Sequence, residues 1–169
     1  MHVLRQLLSI LLLPFLVVAV VPRWLLTAGA TLDTRWASGL AVAWLPRTAG
    51  VLLLLFGGGL FAWCVVLFAR IGQGTLAPWD PTRRLVAVGP YRHVRNPMIS
   101  GVAAILAGEA LLRGSRVLAC WVVGFVLLNH VYFLLSEEPG LSRRFGASYD
   151  AYRAAVPRWL PRTTPWTGT

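Results

Sequence analysis

The chain has 169 residues, a length that fits one domain, and 57% of them are hydrophobic while only 13% are charged. All 16 basic residues are arginine, and the net charge is +10. The long uncharged runs exclude an ordinary water-soluble globule and indicate a membrane protein. A basic chain can bind nucleic acid, but arginines that flank apolar runs more often set orientation and contact anionic lipid. We therefore predict membrane lipids, and no nucleic acid, as partners.

Four apolar segments are candidate membrane spans. In chain order they are Leu7–Val21, Val51–Ala69, Met98–Leu112 and Val117–Leu135. A helix needs about 20 residues to cross the hydrocarbon layer, so the third segment must borrow length from its flanks. Gly114 and Ser115 leave room for only a tight turn, which predicts that the third and fourth segments form a helical hairpin. We predict an all-α membrane bundle of four transmembrane helices, forming a single domain over residues 1–169.

Two stretches leave alternatives open. Pro22–Gly50 contains Ala37–Leu45, which is too short to cross and could be a loop, a partial helix or part of a fifth span. The first apolar segment could instead be a cleaved signal peptide, because Arg5 precedes it and small residues follow it at Ala28 to Ala30.

The arginines predict the orientation. With the N-terminus inside, five of the 16 fall on the outer side and the other eleven on the cytoplasmic side; the five are Arg23, Arg35, Arg47, Arg113 and Arg116. Short loops rich in arginine stay in the cytoplasm. We therefore predict an integral protein of the cell inner membrane with both termini cytoplasmic.

The two cysteines, Cys64 and Cys120, each lie within an apolar run. Neither belongs to a C-x-x-C motif or to a cluster with histidine, as zinc and redox sites require. The sequence predicts small buried residues here, and no metal site.

The segment GPYRHVRNPMISG carries polar groups to the edge of an apolar run. These groups are Arg92, His93, Arg95 and Asn96. Asparagine is a good N-cap and Pro97 suits a first helical turn, so the polar groups crowd a helix N-terminus, where the helix dipole favours anions. They could receive a carboxylate or phosphate, or form a basic collar that touches lipid headgroups.

The last apolar segment ends in an acidic pair, Glu137 and Glu138. Acids oppose the dipole at a helix C-terminus, and ionisable groups at the edge of a membrane bundle are often functional. A nearby arginine such as Arg143 could also neutralise them. His130 lies seven residues before Glu137, on nearly the same helical face, with Asn129 beside it. This polar stripe predicts either a pocket wall or a set of interhelical hydrogen bonds.

The predicted hairpin brings the basic and acidic groups to one side of the membrane. A ligand with both an anion and a cation, such as an amino acid headgroup, would satisfy both, and so would a cluster of salt bridges. After the acidic pair, Phe145, Tyr149 and Tyr152 recur at helical spacing with arginines between them. They predict a cytoplasmic amphipathic C-terminal helix that serves as a surface anchor or as a lid over a pocket.

GPYRHVRNP, followed further along by EEPGLSRRFGASYDAYRAAVPRWLP, resembles the isoprenylcysteine carboxyl methyltransferase family and the related membrane phospholipid methyltransferases. The resemblance covers residues 89–161 and consists of an R-H-P motif, an E-E pair and an F-G-x-x-Y-x-x-Y-x-x-x-V-P tail. The matching residues are Arg95, Pro97, Glu137, Glu138, Phe145, Gly146, Tyr149, Tyr152, Val156 and Pro157. Asn96 replaces the family's histidine and Ile99 its usual tyrosine.

The resemblance implies that S-adenosylmethionine binds at the cytoplasmic side. It also implies methyl transfer to a lipophilic acceptor: an isoprenylcysteine carboxylate, a phospholipid amine or another small apolar molecule. The cofactor-binding residues would be Tyr91, His93, Arg95, Asn96, Pro97, His130, Glu137 and Glu138. Tyr149, Tyr152 and Arg153 would belong to the substrate site or lid. One of the two glutamates would pair with the cofactor amine and Arg95 with its carboxylate; no residue is assigned to the chemistry itself.

Two other functions are compatible with these residues. A membrane reductase that uses a nicotinamide cofactor would have similar spans and could use the arginines as a phosphate site. A non-catalytic membrane scaffold would explain the departures at Asn96 and Ile99.

Overall fold

The computed structural model describes residues 13–29, 44–72 and 85–168, and these residues form helices and connecting segments without any strand. The all-α prediction is confirmed for this part of the chain. The helices are α1 (Leu13–Ala28), α2 (Trp44–Leu67), α3 (Pro97–Arg113), α4 (Arg116–Phe145) and α5 (Ala147–Ala155). The start of the predicted span Leu7–Val21 and most of Ala37–Leu45 lie outside the described residues.

Within the described ranges, two helices are long and apolar enough to cross a membrane, Trp44–Ile71 and Arg116–Phe145. They contain the second and fourth predicted spans. The first and third predicted spans correspond to the shorter helices α1 and α3, so the total of four spans stays a prediction. Large apolar side chains on the two long helices face outward, such as Leu55 at 69% and Leu135 at 77% exposure. A continuous outer surface of this kind is what lipid covers.

Helices α2 and α3 pack along a seam of glycines. A Cβ atom added to Gly57 would lie 2.5 Å from the carbonyl oxygen of Gly101, and one added to Gly108 would lie 2.7 Å from that of Gly50. Gly50 and Gly57 are seven residues apart on α2, as Gly101 and Gly108 are on α3, and the two pairs follow each other in opposite chain order. One seam therefore joins the two antiparallel helices. Small residues allow such close approach in membrane bundles.

Helices α3 and α4 form the predicted hairpin. Gly114 ends α3 in the left-handed conformation, with φ 63° and ψ 30°, which glycine adopts without strain. The hydroxyl of Ser115 then caps α4 by accepting a hydrogen bond from the Leu118 N–H at 3.2 Å. Of the two cysteines, Cys64 on α2 is buried as predicted, whereas the prediction is wrong for Cys120, which lies on an exposed face of α4.

A π turn at Phe133–Glu137 interrupts α4, and the N–H of Glu138 donates to the Phe133 carbonyl. Such a turn contains one residue more than an α turn. The side chains after it are therefore rotated about the helix axis by about 100° from their positions in a regular α-helix. The predicted shared face of His130 and Glu137 assumed a regular α-helix. Glu137 instead lines a cavity together with Asn129, while His130 contacts the C-terminal tail, which is the segment after α5 (residues 156–168).

The C-terminal amphipathic helix is shorter than the sequence pattern predicts. Gly146, with φ 53° and ψ −135°, separates the end of α4 from α5. On α5, Tyr149 and Tyr152 are buried whereas Asp150 and Arg153 are exposed, so this short helix is amphipathic. The tyrosines form a small core with Val156, which follows the helix.

Candidate functional site

A cavity of about 740 Å³ lies among the five described helices and the segment before α3, residues 85–96. This volume is within the range of about 300–1,000 Å³ that is typical of small-molecule sites. Helix α4 contributes lining residues from Trp121 to Phe145. Trp121 and Glu138 are 17 residues apart, so at 1.5 Å per residue the wall runs for about 25 Å between them.

The two parts of the cavity differ in chemistry. Its apolar part contains Val17, Phe61, Val102, Trp121 and Phe125, which belong to one packed cluster. Its polar part contains Arg95, Asn96, Glu137, Glu138, Tyr149 and Tyr152. One space therefore joins an apolar surface to a group of charged side chains.

Seven of the eleven site residues predicted from the sequence line this cavity: Tyr91, Arg95, Asn96, Glu137, Glu138, Tyr149 and Tyr152. The other four, His93, Pro97, His130 and Arg153, are not among its lining residues. Asn96 takes the predicted N-cap position of α3, but its side chain makes no capping hydrogen bond. Its amide is thus available at the cavity wall.

Glu138 is the centre of an ion cluster beside the cavity. Arg95 Nη1 donates to Glu138 Oε1 at 2.8 Å, and Arg158 makes two bonds to the carboxylate, at 2.7 and 3.0 Å. Arg153 Nε lies 3.4 Å from Oε2. The pairing to Glu138 raises the pKa of Arg158, which remains charged. Glu138 is thereby saturated by three guanidinium groups.

Arg95 and Glu137 each have bonding capacity left at the cavity. Arg95 Nε is buried and has no hydrogen-bond partner in the described chain. A buried donor without a partner costs about 1–3 kcal/mol, so an acceptor oxygen placed there would be favoured. The carboxylate of Glu137 lines the cavity, and no described residue makes a hydrogen bond or ion pair with it. The ion cluster itself has three arginines around the one carboxylate of Glu138, so positive charge is in excess there.

Tyrosines fix the segment before α3 against α5. The Tyr152 hydroxyl donates to the Tyr91 carbonyl oxygen at 2.7 Å, and its ring lies 5.2 Å from that of Trp166. Burial raises the pKa of Tyr152 and also that of Tyr149. Both hydroxyls therefore remain protonated and neutral at ordinary pH.

The first two polar groups of the segment before α3 bind the C-terminal tail. The Arg92 carbonyl accepts from the Trp166 N–H at 2.9 Å, and the Arg92 Nε donates to the Trp166 carbonyl. The His93 carbonyl accepts from the Arg162 N–H at 3.0 Å, while His93 Nδ1 donates to the Arg162 carbonyl at 2.8 Å. Arg92 and His93 thus position the tail rather than line the cavity.

The C-terminal tail also contacts His130, and it contains Arg158, a site residue that the sequence did not predict. Trp159 Nε1 donates to His130 Nδ1 at 3.0 Å, and the two rings are stacked. Arg158 precedes this tryptophan and holds Glu138, although it was not predicted as a site residue. Arg158 lies after the end of α5, so no helical spacing relates it to the other site residues. The one signal in the sequence was the acidic pair, which needs basic partners in a chain that has an excess of arginine.

A family model described as phospholipid methyltransferase matches residues 45–148, more than half of the chain. The match contains α2 from its second residue, all of α3 and all of α4, and it ends just before Tyr149. No curated protein matches the chain, and no solved structure does.

Proposed function

Because the chain belongs to the phospholipid methyltransferase family, we propose that the cavity binds S-adenosylmethionine in its polar part and a lipophilic methyl acceptor along its apolar part. Membership of this family implies methyl transfer to a lipid-like substrate, and the two long apolar helices fit a membrane location. The bound cofactor supplies a methyl group that its sulfonium already activates, so the protein has chiefly to align donor and acceptor.

The observation that carries this proposal is the pair of unsatisfied charged groups in one cavity. The amino acid end of the cofactor has a carboxylate and an ammonium group. Arg95 Nε, buried without a partner, would bind the carboxylate, and the unpaired carboxylate of Glu137 would bind the ammonium. Glu138 acts indirectly: its three arginine partners occupy it, and it holds Arg95 in place.

The apolar part of the cavity supports a lipophilic acceptor. Phe61, Val102, Trp121 and Phe125 form a surface suited to a hydrocarbon chain. An isoprenylcysteine carboxylate, a phospholipid amine and another small apolar molecule all have such a chain beside a polar nucleophile. Tyr149 and the rest of α5 would close the polar part and help to exclude water.

The proposed location is the cytoplasmic face of the cell inner membrane. The support is the arginine distribution, because the arginines of the segment before α3 and of the C-terminal tail fall on the side with eleven of the 16. The cofactor would then enter from the cytoplasm, whereas the acceptor would come from the lipid.

Calorimetric titration of the detergent-purified chain with S-adenosylmethionine and S-adenosylhomocysteine tests the proposal. The wild type is expected to bind both, and Glu137→Gln is expected to weaken binding by about tenfold or more, since it removes a charge-assisted hydrogen bond. Glu109→Gln is the matched control, because Glu109 is a carboxylate on α3 that does not line the cavity. A folded wild type that binds neither compound overturns the proposal; binding of a nicotinamide cofactor instead would favour a reductase.

A further inference from the structure

Arg158 in the C-terminal tail contacts the ion cluster beside the cavity without lining the cavity itself. Its side chain is 16% exposed, and that of Glu138, which it contacts, is 5% exposed. Arg158 lies beyond residue 148, where the family match ends. An arginine in this position can affect a ligand in the cavity only through the groups that it holds.

Arg158 fixes the plane of the Glu138 carboxylate. Its Nε donates to Oε1 at 2.7 Å and its Nη2 donates to Oε2 at 3.0 Å, so one planar guanidinium holds both oxygens. Such a fork sets the direction of the carboxylate as well as its distance. Arg95 Nη1 donates to the same Oε1 at 2.8 Å. The position of the Arg95 guanidinium therefore depends on the Arg158 fork.

The residue before Arg158 holds the backbone of Arg95. The Arg95 N–H donates to the Pro157 carbonyl oxygen at 2.9 Å. Two further main-chain hydrogen bonds, at 3.0 and 2.9 Å, join the rest of the tail to the residues before Arg95. Because Pro157 and Arg158 are adjacent, one short part of the tail holds Arg95 at both ends, the backbone directly and the guanidinium through Glu138.

Arg95 Nε is the atom whose position this arrangement sets. It is buried and has no hydrogen-bond partner in the described chain. A mobile side chain would turn until Nε met an acceptor, but Arg95 is held at its backbone and at Nη1. We propose that Arg158 is a positioning residue for cofactor binding: through Glu138 it keeps Arg95 Nε in place for the cofactor carboxylate. This inference rests on the proposed function and adds to it a residue of the tail.

Positioning of this kind increases the affinity for one ligand group only. A donor that is already fixed loses little freedom when the ligand binds, so the complex is tighter. The gain is confined to a ligand that carries the carboxylate. Loss of the Arg158 fork should therefore weaken such a ligand and leave unchanged an otherwise identical ligand that lacks the carboxylate. A purely structural role for Arg158 would weaken both ligands equally.

Calorimetric titration of the detergent-purified full chain compares S-adenosylhomocysteine with its decarboxylated analogue, which keeps the adenosine, the thioether and the amine. The wild type is expected to bind S-adenosylhomocysteine about tenfold more tightly, since the analogue leaves a buried donor unpaired. Arg158→Gln is expected to reduce this preference to about threefold or less, with unchanged affinity for the analogue. Arg162→Gln is the matched control: it removes the same charge from the same tail, but the Arg162 side chain bonds to the Ala155 carbonyl and the Thr164 hydroxyl, so the preference should stay.

An undiminished preference in Arg158→Gln overturns the proposal, as does an equal loss of affinity for both probes or the same loss of preference in Arg162→Gln. If Arg158→Gln does not fold, Arg158→Lys decides: it keeps the charge, but an ammonium group cannot form the planar fork, so the preference must fall.

The wild-type titration separates this proposal from the proposed function. A wild type that prefers S-adenosylhomocysteine, together with an Arg158→Gln variant that prefers it equally, supports the cofactor site and contradicts only the role of Arg158. Equal binding of the two probes by the wild type contradicts the carboxylate site and therefore this inference. A folded wild type that binds neither probe contradicts both proposals.

Discussion

Glu138→Gln should destabilise the folded chain through the arginines that the carboxylate holds. The Glu138 side chain is 5% exposed, and its partners Arg95 and Arg158 are 10% and 16% exposed. The substitution leaves two nearly buried guanidinium groups facing a neutral amide. Arg153, at 48% exposure, regains water and adds little.

The expected loss follows from the burial of these groups. Removing one partner of a buried ion pair costs about 3–5 kcal/mol, because the opposite charge stays buried without compensation. For a chain of this size each kcal/mol shifts Tm by about 2–4 °C, which predicts a Tm lower by about 6–20 °C. Tryptophan fluorescence during heating of the detergent-purified chain measures this shift.

Glu137→Gln is the matched comparison, because it changes the adjacent carboxylate in the same cavity. Glu137 has no ion-pair partner in the described chain, so the substitution should move Tm by less than about 2 °C, while it weakens S-adenosylmethionine binding. An unchanged Tm for Glu138→Gln, or equal losses in the two variants, would refute the assignment of one glutamate to stability and the other to binding.

Three further substitutions test the packing. Gly57→Ala places a methyl group 2.5 Å from the Gly101 carbonyl oxygen and should cost about 1–3 kcal/mol, measured as a lower Tm. Gly58→Ala, whose added methyl group meets no heavy atom of the described chain within 4 Å, should leave Tm unchanged or higher, and equal Tm values for the two variants would contradict the seam. Tyr152→Phe removes the hydrogen bond to the buried Tyr91 carbonyl and should cost about 1–3 kcal/mol. Because burial raises the pKa of Tyr152, the folded chain keeps a proton that the unfolded chain releases above about pH 10; stability therefore falls as pH rises through that range. Tyr152→Phe should make the fall shallower in thermal unfolding measured against pH, and an identical slope would show that this hydroxyl does not contribute.

The sequence alone determined the elements that depend on local chemistry. Uncharged apolar runs dictate helices, and Gly114 with Ser115 dictates the turn between α3 and α4, since glycine adopts φ 63° freely and serine caps the next helix. The family resemblance was also visible in short motifs, and a family match over residues 45–148 confirms it. These features need only neighbours in the chain.

The tertiary structure decided which polar groups face the cavity. Arg92 and Arg95 are three residues apart in the same polar segment, yet Arg92 bonds to the tail and Arg95 lines the cavity. The segment is not a regular helix at this point, so no periodicity fixes the directions of its side chains. The π turn in α4 likewise moves Glu137 off the helical face of His130, and the sequence did not predict this turn. Arg158 reaches Glu138 only because residues after α5 fold back over a segment more than 60 positions earlier, a contact that no local pattern encodes.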